Sequence, residues 1–129
     1  MGFVAIVKLK KKRVINMEYT FNLENNFLII KLSGDLIGEE NGPVIIAELE
    51  EYNANGNLKV IVDINEVRYI NSSGIGVLIT LLTKARNKGG ELCLINPSES
   101  VQKLLIITKL QAIFKVYNSI ELAKDKMLA

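Results

Sequence analysis

No histidine occurs anywhere in the 129-residue chain, and cysteine occurs once. The first absence removes Ser-His-Asp and Cys-His catalysis, the usual zinc sites and the commonest general base. No local serine–lysine or carboxylate pairing stands in for them. The second absence excludes an internal disulfide and suits a reducing cytosol. Cys93 sits in Glu91-Leu92-Cys93-Leu94-Ile95, an apolar strand pattern, and reads as a core residue. The opening apolar run, Met1 to Val7, is too short to cross a bilayer. It precedes its basic residues, the reverse of a secretory signal. Gly2 also lacks the hydroxyl residue that myristoylation wants four positions on, where Ile6 stands. Repeats, low-complexity tracts and linkers are absent after Met17.

What is present is a globular balance: 49% apolar and 23% charged residues. That length supports one domain with a core. The net charge of +2 is unevenly spread. Residues 1–16 carry Lys8, Lys10, Lys11, Lys12 and Arg13 and no acid, so the remaining body is net acidic. The reading is a solvated basic N-terminal extension over 1–16 and one domain over 17–129, with Met17 as an alternative start. No direct nucleic-acid contact, membrane insertion, metal or cofactor is expected.

Apolar periodicity then sets the elements. Tyr19–Leu23 and Phe27–Leu32 read as strands around an Asn25-Asn26 turn, with Ser33-Gly34-Asp35 closing the second. Asn41-Gly42-Pro43 opens a helix carrying Ile45, Leu49 and Tyr52 on one face. Leu58–Ile64 is a buried strand. A helix from about Ser73 to Lys88 places Ile75, Leu78, Ile79 and Leu82 at helical spacing and ends at Gly89-Gly90. Leu92–Ile95 and Ile113–Tyr117 are further strands, separated by a helix with Val101, Leu104 and Leu105 inward. A terminal helix follows Asn118, read as the Asn of a capping box with Glu121, and turns Ile120, Ala123 and Met127 inward. The sum is an α/β domain with a mixed four- to five-stranded sheet and about four helices.

The informative segment is Asp63-Ile64-Asn65 through Tyr69-Ile70-Asn71-Ser72-Ser73-Gly74-Ile75-Gly76. It presents hydroxyls where a buried strand hands over to a helix N-terminus, whose free N–H groups favour negative charge. Three readings apply. In the structural one, Ser72 or Ser73 caps the helix. In the nucleotide-binding one, Gly74-Ile75-Gly76 cradles phosphate; but the third glycine of G-x-G-x-x-G would fall at Ile79, and no Gly-Lys-Ser/Thr occurs. In the third, Ser72 is a phosphorylation switch beside an apolar patch left uncovered on the helix, such as Val77 or Leu81.

Those residues, with Leu32-Ser33-Gly34-Asp35-Leu36 and Gly89-Gly90-Glu91-Leu92, resemble the signature of the STAS domain. More narrowly, residues 18–128 are similar to bacterial anti-sigma factor antagonists. That resemblance implies a STAS-like mixed sheet and a non-enzymatic cytoplasmic regulator that works by partner switching. The unphosphorylated protein would bind an anti-sigma factor that is also a serine kinase. The kinase would phosphorylate Ser72 and dissociate, and a separate serine phosphatase would reset the switch. Ser73, Gly74 and Gly76 would shape the loop; Asp35, Asn71 and Val77 would border the partner surface. The family often has Asp where Asn71 stands, and a second acid where Ile37 stands. A non-phosphorylated STAS scaffold, serving a signalling or transport assembly, is the alternative.

Overall fold

A computed structural model describes residues 10–128. The apolar opening Met1–Val7 and Lys8 therefore lie outside the described residues. Six strands form one sheet in chain order: β1 (Lys12–Val14), β2 (Met17–Glu24), β3 (Phe27–Leu36), β4 (Lys59–Ile70), β5 (Glu91–Ile95) and β6 (Lys115–Tyr117). β1 to β3 pair antiparallel, and β3 to β6 pair parallel. Each parallel step carries a helix: α1 (Gly38–Tyr52), α2 (Ser72–Asn87) and α3 (Glu99–Ile107). When every new parallel strand is added on the same side, crossovers of one hand put their helices on one face. Accordingly Ile45 and Leu49 of α1, Leu78 and Leu82 of α2, and Val101 and Leu105 of α3 share one core with Leu28, Ile30, Val60, Val62 and Leu92. The terminal helix α4 (Ile120–Leu128) covers part of the other face, where Ala123 packs with Ile61, Cys93 and Ile95.

Several elements differ from the sequence expectations. The sheet has six strands, because Lys12–Val14, inside the basic stretch 1–16, pairs with Met17–Tyr19. Lys12 also reaches across to Glu48 of α1. β3 does not stop at Leu32. It continues through Gly34, whose φ of +115° admits a shift in register before Asp35 pairs with Tyr69. A side chain at Gly34 would collide with the Asn16 carbonyl. β4 likewise runs twelve residues to Ile70, keeping Val67 and Ile70 buried after the irregularity. α1 begins at Gly38, five residues before Pro43. The terminal helix takes its cap from Ser119, whose hydroxyl oxygen accepts the Leu122 N–H at 3.0 Å; the Asn118 capping box does not form.

Cys93 is buried as read, and burial pushes its thiol up to about 12. A thiolate is therefore almost absent at ordinary pH. Iodoacetamide at pH 8 is expected to label Cys93 only after denaturation. Rapid labelling of the folded protein, followed by mass spectrometry, would contradict this packing.

Candidate functional site

The loop between β4 and α2 is a single residue. β4 ends at Ile70, Asn71 intervenes, and Ser72 is the first residue of α2. The cap is Asn71, not Ser72 or Ser73. Its extended backbone (φ −88°, ψ 178°) points the side chain back over the first turn, and Oδ1 accepts the Gly74 N–H at 2.7 Å. The same oxygen accepts the N–H of Gly38, the first residue of α1, at 3.3 Å. One amide oxygen thus serves the first turns of two helices, whose leading N–H groups have no partner within their own helix.

The two helix ends meet because two glycines let them. A Cβ on Gly38 would stand 2.4 Å from the Ser73 carbonyl oxygen and 2.7 Å from Ser73 Cβ. A Cβ on Gly74 would stand 2.2 Å from the Leu36 carbonyl oxygen. Gly76, by contrast, faces open space, so it does not shape the loop in the way Gly74 does.

Three polar groups of this cluster are committed to one another. Ser73 Oγ lies 3.0 Å from Asn71 Oδ1 and also hydrogen-bonds Glu39 Oε2. Asn71 Nδ2 donates to Glu39 Oε1 at 3.3 Å. The Ser73 hydroxyl first, then the α1 backbone and the Asn71 amide, hold the Glu39 carboxyl below its ordinary value. Ser72 is exposed, and among the described residues no hydrogen bond engages its hydroxyl. Nothing in the sequence tied Glu39 to this loop; it lies more than thirty residues away.

Asp35 and Val77 take no part in that hydrogen-bonded cluster. The Asp35 carboxylate is 3.4 Å from the Arg68 guanidinium, on the rim formed by the ends of β3 and β4. Val77 is 5% exposed and Leu81 is fully buried, so neither offers a docking patch. Val77 fills the space over Gly42, where α1 crosses α2. The apolar side chains exposed at this end are instead Tyr69 (55%) and Ile15 (61%), one in β4 and one in the β1–β2 turn.

Asn41, read from the sequence only as part of a helix entry, is fully buried in α1. Its Nδ2 donates to the Asp35 carbonyl at 2.8 Å and the Ile15 carbonyl at 3.1 Å. Its Oδ1 accepts the Ile37 N–H at 3.2 Å. A buried amide so fully partnered ties the β1–β2 turn and the end of β3 to α1. Nothing in the Asn41-Gly42-Pro43 helix entry, read as sequence, marks that amide as buried.

Two predictions follow from this packing. Gly74→Ala should destabilise the domain strongly in thermal melts, because the new methyl meets backbone; Gly76→Ala should be neutral or stabilising by up to about 1 kcal/mol. Asn41→Ala should lower stability by about 1–3 kcal/mol in urea titration, since it orphans buried backbone groups. A harmless Gly74→Ala or Asn41→Ala would refute these contacts.

Among the described residues no helix is long and apolar enough to cross a membrane, and no acidic, cysteine or histidine group could hold a metal ion. The family profile described as STAS domain matches residues 19–123. A Thermotoga neapolitana protein, named as the TM1081 homolog, is 31% identical over 78 residues, covering 60% of this chain and 69% of the relative. The anti-sigma-B factor antagonist of Listeria monocytogenes is 30% identical over 76 residues, 59% of this chain and 67% of the relative. Among solved structures, the anti-sigma factor antagonist SpoIIAA in its unphosphorylated form superposes with a TM-score of 0.70 at 21% identity, over 84% of this chain and 94% of that one. The phosphorylated form of the Bacillus SpoIIAA gives a TM-score of 0.64 at 20% identity, over 84% and 97%. With the sheet and the paired helix ends described above, these likenesses place the chain in the STAS domain family, among the anti-sigma factor antagonists.

Proposed function

We propose that this chain is a cytoplasmic partner-switching antagonist whose Ser72 is the phosphoacceptor. Unphosphorylated, it binds an anti-sigma factor that is also a serine kinase; phosphorylated on Ser72, it lets go. A serine phosphatase restores the binding form, and the domain performs no catalysis itself. The observation that carries the reading is the free, exposed Ser72 hydroxyl at the first position of α2. Asn71 has already taken the capping task, so Ser72 can change chemically while the helix stays closed. A phosphate there adds roughly −1.5 to −2 charges where the helix dipole tolerates them. The fold then survives, and the added charge and bulk act on whatever is docked at this end. That surface comprises Ser72, the exposed Tyr69 and Ile15, and the Asp35–Arg68 pair. A relative named for an antagonist role and the two solved forms of SpoIIAA support the same reading.

Incubation with host lysate and ATP, followed by site mapping, should find phosphate on Ser72. Phosphate elsewhere with Ser72 bare would overturn the reading. Ser72→Ala should change stability by no more than about 0.5 kcal/mol, because it removes no cap. It should also keep its partner in a pull-down after ATP is added. Ser72→Asp should leave the free domain folded and weaken the complex by about tenfold or more, equivalent to about 1.4 kcal/mol.

A further inference from the structure

Two adjacent serines, Ser72 and Ser73, begin α2, and both are exposed. Exposure alone therefore does not choose between them. What separates them is Glu39, which reaches over from the first turn of α1. Its carboxylate takes the Ser73 hydroxyl with one oxygen and the Asn71 amide with the other. The Ser73 hydroxyl has a single proton, and the charged acceptor outcompetes the neutral Asn71 oxygen for it. Ser73 is also wedged against the start of α1, where Gly38 has no side chain to spare room for.

We propose that Glu39 is the specificity residue of this loop: it withholds Ser73 from phosphorylation and so directs the phosphate to Ser72. The proposal rests on the assignment of Ser72 as a phosphoacceptor. In the transfer, the serine oxygen attacks the γ-phosphorus of ATP. The new O–P bond forms as the bond to the β-phosphate oxygen breaks. ADP leaves, and the hydroxyl proton passes to the kinase's base. Ser73 meets two obstacles in that step. Its oxygen is turned toward Glu39, and the carboxylate repels the incoming γ-phosphate. Glu39 is a poor substitute base, since its bonds to Ser73, the α1 backbone and Asn71 favour its ionised form. Among the described residues no hydrogen bond ties the Ser72 hydroxyl to that carboxylate, so its oxygen is left free to turn toward the γ-phosphate.

The neutral Asn at position 71 belongs to the same arrangement. Its Nδ2 donates to Glu39 while its Oδ1 caps both helices. An Asp there would keep the cap, lose the donor and set a second carboxylate against the first. The negative charge beside the serines is thus delivered by α1, not by the residue before Ser72.

The test compares four chains: native, Ser72→Ala, Glu39→Ala, and Ser72→Ala with Glu39→Ala. Each is incubated with host lysate and ATP, and phosphate is mapped by tandem mass spectrometry. Native protein should carry phosphate on Ser72 alone, and Ser72→Ala should stay bare. Glu39→Ala should raise Ser73 phosphate by about tenfold or more, and the double variant should accept phosphate on Ser73. Glu39→Gln, which keeps the side-chain shape, should give an intermediate gain. Circular dichroism monitors folding of each variant. A double variant that remains folded and bare overturns the proposal, as does Ser72→Ala that is already modified on Ser73. If native protein takes no phosphate on Ser72, it is the phosphoacceptor assignment that fails instead.

Discussion

The carbonyl oxygen of the Asn71 side chain is the point on which the functional end of this domain depends. Two helices begin where two parallel strands finish, so their first turns converge with leading N–H groups unpaired. A single acceptor at their junction answers both, through Gly38 and Gly74. The consequences spread outward from there. The helix ends must come close enough to share one atom, which requires bare backbone at both glycines. The amide must face inward, which turns its NH2 group toward Glu39. Ser73 is drawn into the same network, and Ser72, one residue earlier, is left outside it.

This division of labour would let a small domain carry the proposed switch without being destabilised by it. The groups that hold the loop are buried or mutually bonded. The group left available for chemistry supports nothing. It also relocates the surface on which a partner would act. α2 presents no broad apolar flank, because Val77 and Leu81 are consumed by packing against α1 and the sheet and Ile75 and Ile79 are half-buried. What remains is a polar rim with two exposed apolar side chains, built partly by the β1–β2 turn. Such a rim is more sensitive to added charge than a broad apolar face would be, since polar contacts depend directly on local potential.

The sequence was legible wherever burial imposed a period. β2, α2 and α3 appear in the apolar pattern because one face of each is sealed, and β5 appears as an unbroken apolar run because both of its faces are. It was illegible where strands persist through polar residues. Ser33-Gly34-Asp35 and Asn65-Glu66 carry turn composition, yet register shifts between β3 and β4 let both strands continue. β1 has no burial period to read, being three residues at a sheet edge. At the site, the strand-to-helix handover and Ser72 were visible. The identity of the cap was not, since Asn and Ser are comparably good at it. Glu39 and Asn41 were out of reach for different reasons. The first acts across the fold, and the second hides as a buried amide within what reads as a helix entry.

The edges of the sheet have a consequence of their own. Both outer strands are only three residues long, and they carry Lys12 and Arg13 on one side and Lys115 on the other. Arg13 and Lys11 are drawn to Glu18, and Lys12 to Glu48, so cations crowd the β1 border. Short cationic borders are poor templates for a foreign strand. The fold thereby discourages edge-to-edge strand pairing and amyloid-type self-association at both borders of the sheet.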